Sequence, residues 1–330
     1  PSISFVLLDW SVRERFFALD WLCRQDLPRD QYEILWIELY DRVVPEAMDK
    51  ADVVITCGQR GMYHKHKGYN IGLLQARGDI ICVCDSDAVF PPDFVSSIQR
   101  AFDFPGQGLR PLVLMHYEYR TTDAYPGDLA DVAQLRRYAW APLWPNVGAC
   151  MSVRREDAVR FGGFDEDLSF SGYMCGPYDL GWRLVNAGIP EEWHDPRVAL
   201  WHFAHPDPTG TTRAFSFRGW REIQHPHIKG HALTAVEAFS SGRQLPLCES
   251  QAVWQCRMDK RKIGSPLENE YSRISMHKRF FWGQRAAYGF ENAIEALIPS
   301  YANLRKVLRW GIGDAYYVSL REKWRSFTSA

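Results

Sequence analysis

The sequence predicts an α/β protein built on a mostly parallel, doubly wound sheet, followed by a helical extension. Three observations carry this expectation. Short apolar runs alternate with helical stretches through the first hundred residues, which is the rhythm of βαβ units. One of those runs, Ile80–Cys84, is continuous, β-branched-rich and preceded by Gly78, as a strand buried on both faces would be. From about residue 206 the alternation stops, and the remainder reads as a loop and then helices.

Taken in order, residues 2–8 form the opening strand. A helix follows, with Phe16, Phe17, Leu19, Leu22 and Cys23 at helical spacing. Leu27-Pro28-Arg29-Asp30 is a turn, Tyr32–Leu39 a second buried strand ending at Glu38, and Asp52–Thr56 a short third one. Arg60–Asn70 is polar, basic and punctuated by glycine, after which Ile71–Ala76 completes a helix running into the central strand. That strand ends in Asp85-Ser86-Asp87, two carboxylates one residue apart, and Pro91-Pro92 then open a helix to residue 102. Ligands of open α/β sheets bind beyond the carboxyl ends of strands, and Mg²⁺ or Mn²⁺ requires carboxylate oxygen. The competing reading, a pair of solvated turn aspartates, is opposed by the buried strand before the pair and the Ala-Val-Phe-Pro-Pro after it.

Leu112–Tyr119 is a further strand, Thr121–Arg137 an insertion, and Trp140–Pro145 an aromatic loop stiffened by proline. Gly148–Arg154 is a strand, 155–161 a short helix leading to Gly162-Gly163-Phe164-Asp165-Glu166, and Tyr178–Ala187 a helix closed by Gly188. Arg197–Trp201 is a last strand delivering His202 and His205. Three regions result: 1–205 as the α/β unit, 206–230 as a mobile loop, and 231–330 as basic, aromatic helices. Those helices suit amphipathic packing with a solvated basic face, or contact with an anionic membrane surface or lipid-linked acceptor.

Composition narrows the function classes. The 330 residues are 46% hydrophobic and 24% charged with a formal net charge of −1, which gives no whole-molecule case for nucleic acid. No apolar stretch approaches the roughly 20 residues that span a bilayer, and Pro1–Leu8 lacks a charged n-region. Eight scattered cysteines suit reduced core thiols in a cytoplasmic protein, membrane-associated at most, better than a disulfide framework. Cys82 and Cys84 share a strand face, but no second Cys/His pair stands at zinc-site spacing.

With these motifs in hand, the sequence resembles family-2-type nucleotide-sugar glycosyltransferases of the GT-A fold, over about residues 2–205. Leu22-Cys23-Arg24-Gln25-Asp26-Leu27-Pro28 resembles the region after the family's first helix. Lys67-Gly68-Tyr69-Asn70-Ile71-Gly72 resembles the segment lying against the nucleotide, and Ala76-Arg77-Gly78-Asp79 its "ArGD" step. Cys84-Asp85-Ser86-Asp87 matches the metal-binding Asp-x-Asp, Gly162–Glu166 the acceptor-side "GGFDE", and Asp179–Leu184 the "D-L-x-x-R-L" helix. The resemblance implies a metal-dependent transferase moving sugar from a nucleoside diphosphate sugar, UDP-linked in the first instance, to a saccharide or glycoconjugate hydroxyl with inversion. It implies Asp87, Asp85 and a downstream histidine at the metal, His202 first and His205 as the alternative, with imidazole favouring Mn²⁺ over Mg²⁺. Glu38, Lys67, Asn70, Asp85 and the loop residue Arg218 are the expected nucleotide-sugar contacts. The family's Glu-Asp pair is replaced by Gly176-Pro177, which leaves Asp179 as the expected base and Glu166 or Asp165 as alternatives. That replacement keeps two other readings open: a retaining GT-A transferase, and a catalytically silent module that binds nucleotide sugar or glycan.

Overall fold

The structure, a computed structural model, describes residues 1–127, 129, 131–135, 143–167, 170–172, 176–205, 237 and 240–243. The expected loop 206–230 with Arg218, the later helices and the start of the aromatic loop at Trp140 lie outside these residues, as does nearly all of the 231–330 region. The described residues belong to one unit, Pro1–Ala214 with Pro226–Ile263.

In chain order the elements are β1 (Ile3–Asp9), α1 (Phe17–Leu22), β2 (Tyr32–Glu38), α2 (Pro45–Lys50), β3 (Val53–Thr56), α3 (Lys65–Gln75), β4 (Ile80–Asp85) and β5 (Ala88–Val89). Then follow α4 (Phe94–Phe102), the small hairpin β6 (Asp103–Phe104) and β7 (Gly108–Leu109), β8 (Val113–Ala124), α5 (Val132–Leu135), β9 (Leu143–Arg154), α6 (Arg155–Arg160), α7 (Tyr178–Asn186), β10 (Glu191–Trp193) and β11 (Leu200–Ala204). Among the described residues the main sheet has nine strands in the order β3-β2-β1-β4-β9-β8-β11-β5, with β10 also on β8. β3, β2, β1 and β4 run parallel, while β9 is antiparallel to both β4 and β8.

β1, β2 and β4 are buried along their whole length, because helices cover both faces of this half of the sheet. Alternate side chains feed two cores. Phe5, Leu7, Trp36 and Cys82 pack under α1 and α4, whereas Val6, Leu8, Ile37 and Val83 pack under α3, α6 and α7. Cys82, Cys84 and Cys150 are buried free thiols of the first core.

Four expectations are corrected. α3 starts at Lys65, so half of the segment read as irregular is helix. Its packing face is made of glycine: a Cβ on Gly68 would lie 2.3 Å from Leu8 Cδ1, and one on Gly72 would lie 2.2 Å from Val6 Cγ1. The helix therefore sits flush on β1 without the apolar stripe that betrays most helices. β8 runs on to Ala124, absorbing the start of the expected insertion, because its far end pairs with β11. β9 begins at Leu143, inside the expected aromatic loop, and its first residues pair with His116–Tyr119 of β8. Finally, Pro196–Val198 is a 3₁₀ turn capped by the Asp195 carboxylate, which pushes the last strand to Leu200–Ala204. His202 lies within that strand rather than beyond it.

One edge of the fold carries a pH dependence. Glu191 accepts hydrogen bonds from Tyr178 Oη at 2.8 Å and Trp193 Nε1 at 3.1 Å. Burial outweighs both and raises its carboxyl to about 7. The folded chain therefore holds a proton there that the unfolded chain has released, and stability falls as pH rises from the ordinary glutamate range through about 7. Glu191→Gln is expected to match the parent near pH 5 and to exceed it by on the order of 1–3 kcal/mol at pH 8.5, read from urea midpoints at the two pH values.

Candidate active site

The site lies at the carboxyl ends of β1, β2 and β4 and is completed from β11. β11 pairs antiparallel with the two-residue strand β5, His202 opposite Ala88. That register places the His202 ring beside Asp87, with Nε2 3.1 Å from Oδ2. His205 Nε2 lies 3.1 Å from the same oxygen. The three ligand atoms lie within 4.8 Å of one another, a carboxylate–imidazole–imidazole set capable of holding a metal ion. Of the expected ligands, Asp87 and His202 are thus brought together, and His205 joins them.

Asp85 is held differently. Its carboxylate is bridged by Lys65 Nζ at 2.7 and 2.9 Å and accepts a hydrogen bond from Tyr69 Oη at 3.4 Å. Burial raises the Asp85 carboxyl, with Lys65 opposing and Asp87 adding to the rise. Asp87 is equally enclosed, yet Arg13, His202 and His205 outweigh burial and hold it well below the usual carboxylate range. His202 is raised in return, since Asp87 more than offsets the cost of burying an imidazolium. Two carboxylates on one short loop are thereby driven apart in acidity.

Next to this pair, the loop after β1 is built on two buried acids. Asp9 accepts from the Trp10 and Val12 amides at 2.8 and 3.4 Å and pairs with Arg42. Glu38, one of the expected nucleotide-sugar contacts, accepts from Ser11 Oγ at 2.8 Å, the Ser11 amide at 3.2 Å and the Tyr40 amide at 3.0 Å. These bonds hold Ser11 at φ +62°, an unusual conformation for a residue with a side chain. Burial raises both carboxyls. Asp9 was not singled out in the sequence, although a carboxylate closing the first strand at the sheet's ligand edge is the signal that would have found it.

The acceptor-side motifs are tied to α3. Asn70 Nδ2 donates to Phe164 O at 2.8 Å and Glu166 Oε1 at 2.9 Å, and Asn70 Oδ1 accepts from the Phe164 amide at 2.8 Å. His66 Nδ1 lies 2.6 Å from Asp165 O, and Nε2 lies 3.2 Å from Gly176 O and 3.6 Å from Asp179 Oδ1. Asp179 Oδ2 accepts from the Asp165 amide at 3.0 Å and from Arg183 Nη2 at 3.1 Å. Arg183 also donates to the carbonyls of Phe161 and Gly163. Asp179 and Asp165 are buried, whereas Glu166 is half-buried. α3 thus presents two i,i+4 pairs offset by one residue: Lys65 and Tyr69 toward Asp85, His66 and Asn70 toward the 163–167 turn.

Among the other expected contacts, Lys67 is half-buried and makes no ion pair among the described residues; the lysine that reaches the carboxylate pair is Lys65, two positions earlier. Arg218 lies outside the described residues. Arg13, Lys65, Tyr69 and His66 were not singled out as site residues in the sequence.

Residues 44–161, which include the Asp85/Asp87 pair, match the family described as Glycosyl transferase family 2. No curated protein matches the chain. Among solved structures, the fold is similar to that of S. aureus TarS 1–349 in complex with UDP-GlcNAc, with a TM-score of 0.50 and 12% identity over 92% of this chain and 92% of that one. Mannosyltransferase PcManGT from Pyrobaculum calidifontis, in complex with GDP-Man and Mn²⁺, is similar with a TM-score of 0.44 and 16% identity over 100% of this chain and 86% of that one. No described helix is long and apolar enough to cross a membrane. The match to Glycosyl transferase family 2 is thus carried by the segment 44–161, and the sheet as a whole is of the GT-A type.

Proposed function

We propose that the protein transfers a sugar from a nucleoside diphosphate sugar, UDP-linked in the first instance, to a saccharide or glycoconjugate hydroxyl with inversion, using a divalent cation at Asp87. The observation carrying this reading is the convergence of Asp87, His202 and His205 at the end of the central strand. One carboxylate and two imidazoles suit Mn²⁺ better than Mg²⁺, which prefers all-oxygen shells. Asp85 stands apart from that donor set with its charge met by Lys65, which suits it to the ribose or to the water around the ion. When bound, the ion supplies positive charge against the departing diphosphate. The neighbouring loop residues Ser11 and Arg42, held by the buried carboxylates of Asp9 and Glu38, would take the nucleoside. The UDP-GlcNAc bound to TarS supports a uridine nucleotide there.

Transfer forms a bond from the acceptor oxygen to the anomeric carbon, breaks the bond from that carbon to the diphosphate, and requires a base for the hydroxyl proton. Glu166 is the carboxylate best placed for that work. It is half-buried where Asp179 and Asp165 are buried, and its Oε1 is oriented by Asn70. Asp179 and Asp165 brace the turn that carries it. The proposal is tested by thermal shift with UDP-, GDP-, CMP- and dTDP-linked sugars, each with and without Mn²⁺. A ligand at a hundred times its Kd adds about 2.7 kcal/mol, a rise of a few degrees. Stabilisation by one nucleotide class only with Mn²⁺ is expected, and no shift with any donor would make the silent-module reading the leading one.

A further inference from the structure

Arg13 belongs to neither a strand nor a helix, yet its guanidinium is buried, 4% exposed, inside the Asp87 donor set. Nη2 lies 2.8 Å from Asp87 Oδ2, the oxygen that also faces His202 and His205. Nη1 lies 3.0 Å from His205 Nε2 and 3.3 Å from Nδ1. The guanidinium carbon stands 4.9 Å from the Trp10 ring centroid, over the ring, and the Arg13 carbonyl accepts from Arg42 Nη1 at 2.7 Å. Its Nε has no hydrogen-bond partner among the described residues.

A divalent ion bound by Asp87 and the two histidines would lie about 2.0–2.2 Å from each ligand atom. The Arg13 nitrogens already stand at hydrogen-bond distance from two of those three groups, so ion and guanidinium cannot share the space. Like charge adds to the exclusion. We infer that Arg13 is an internal counter-cation that takes the metal's place at Asp87, so that metal enters only by displacing it. This inference rests on the reading of Asp87, His202 and His205 as the metal site. The displaced guanidinium is left in a loop beside the site, with a planar fork suited to phosphate oxygens. A donor diphosphate gives it a new partner. Metal and nucleotide therefore bind with positive coupling, each raising the affinity of the other by the same factor.

The test is a titration of the full chain with Mn²⁺, followed by the electron paramagnetic resonance of the free ion, with and without UDP. The parent is compared with Arg13→Gln, Arg13→Lys and Asp87→Ala. Without nucleotide, Arg13→Gln is expected to bind Mn²⁺ about tenfold more tightly than the parent, equivalent to about 1.4 kcal/mol. Arg13→Lys, which keeps the charge, is expected to stay close to the parent, and the UDP-induced gain is expected to shrink in Arg13→Gln. Equal or weaker Mn²⁺ binding by Arg13→Gln, with binding lost in Asp87→Ala, overturns the role of Arg13 and leaves the metal site standing. Parent-like Mn²⁺ binding by Asp87→Ala removes the metal site and the inference together. A second measurement needs no variant. Phenylglyoxal labelling of the peptide carrying Arg13 is expected to rise severalfold with Mn²⁺ alone and to fall again when UDP is added; labelling indifferent to Mn²⁺ overturns the inference.

Discussion

Asp179→Ala is expected to lower the stability of the fold by about 3–5 kcal/mol, the range for removing one partner of a buried ion pair. Asp179 is 3% exposed and Arg183 fully enclosed. Without the carboxylate, the guanidinium keeps, among the described residues, the Phe161 and Gly163 carbonyls as partners. The Asp165 amide loses its acceptor as well. Asp179→Asn retains an oxygen for that amide and removes only the charge, so it should fall between parent and alanine variant. The check is a urea denaturation series across the three proteins. An Asp179→Asn protein with the parent's midpoint but no turnover would return the base to Asp179.

Glu166→Gln is expected to reduce turnover by about two to four orders of magnitude, the usual contribution of a general base. The amide keeps an oxygen for Asn70 Nδ2 to bond, so the turn that carries residue 166 retains its anchor. Donor-induced thermal stabilisation should be unchanged, because the substitution lies on the acceptor side of α3. Turnover within threefold of the parent would exclude Glu166 as the base.

Much of this architecture was legible in the sequence where burial is uniform. β1, β2 and β4 are enclosed on both faces and show it as unbroken apolar runs. The Asp85/Asp87 pair follows from the place where the third of those runs stops. α3 was legible only in its second half, because its contact face is Gly68 and Gly72 and leaves no hydrophobic period to read. β8 past Tyr119 reads Arg-Thr-Thr-Asp-Ala, and only its pairing with β11 makes that a strand. His202 could be named from its position near a late strand. His205 could be named only as the alternative to it, since its approach to Asp87 depends on an irregular register after His202, and Arg13, which depends on the course of a loop, could not be named. The choice of Lys65 over Lys67 turns on helical phase, which a segment without an apolar stripe does not reveal.

The flush seating of α3 has a consequence for how such a site diversifies. Gly68 and Gly72 leave no clearance above Leu8 and Val6, so a side chain at either position, or a turn of the helix about its axis, would collide with β1. The same turn of helix grips the Asp-Ser-Asp loop on one side and the 163–167 turn on the other. The two halves of the site are therefore locked in a common frame. Remodelling toward a new donor would have to run through the loops at 9–13 and 38–42, and remodelling toward a new acceptor through the chain beyond 166. The helix itself is the part of the site least free to vary.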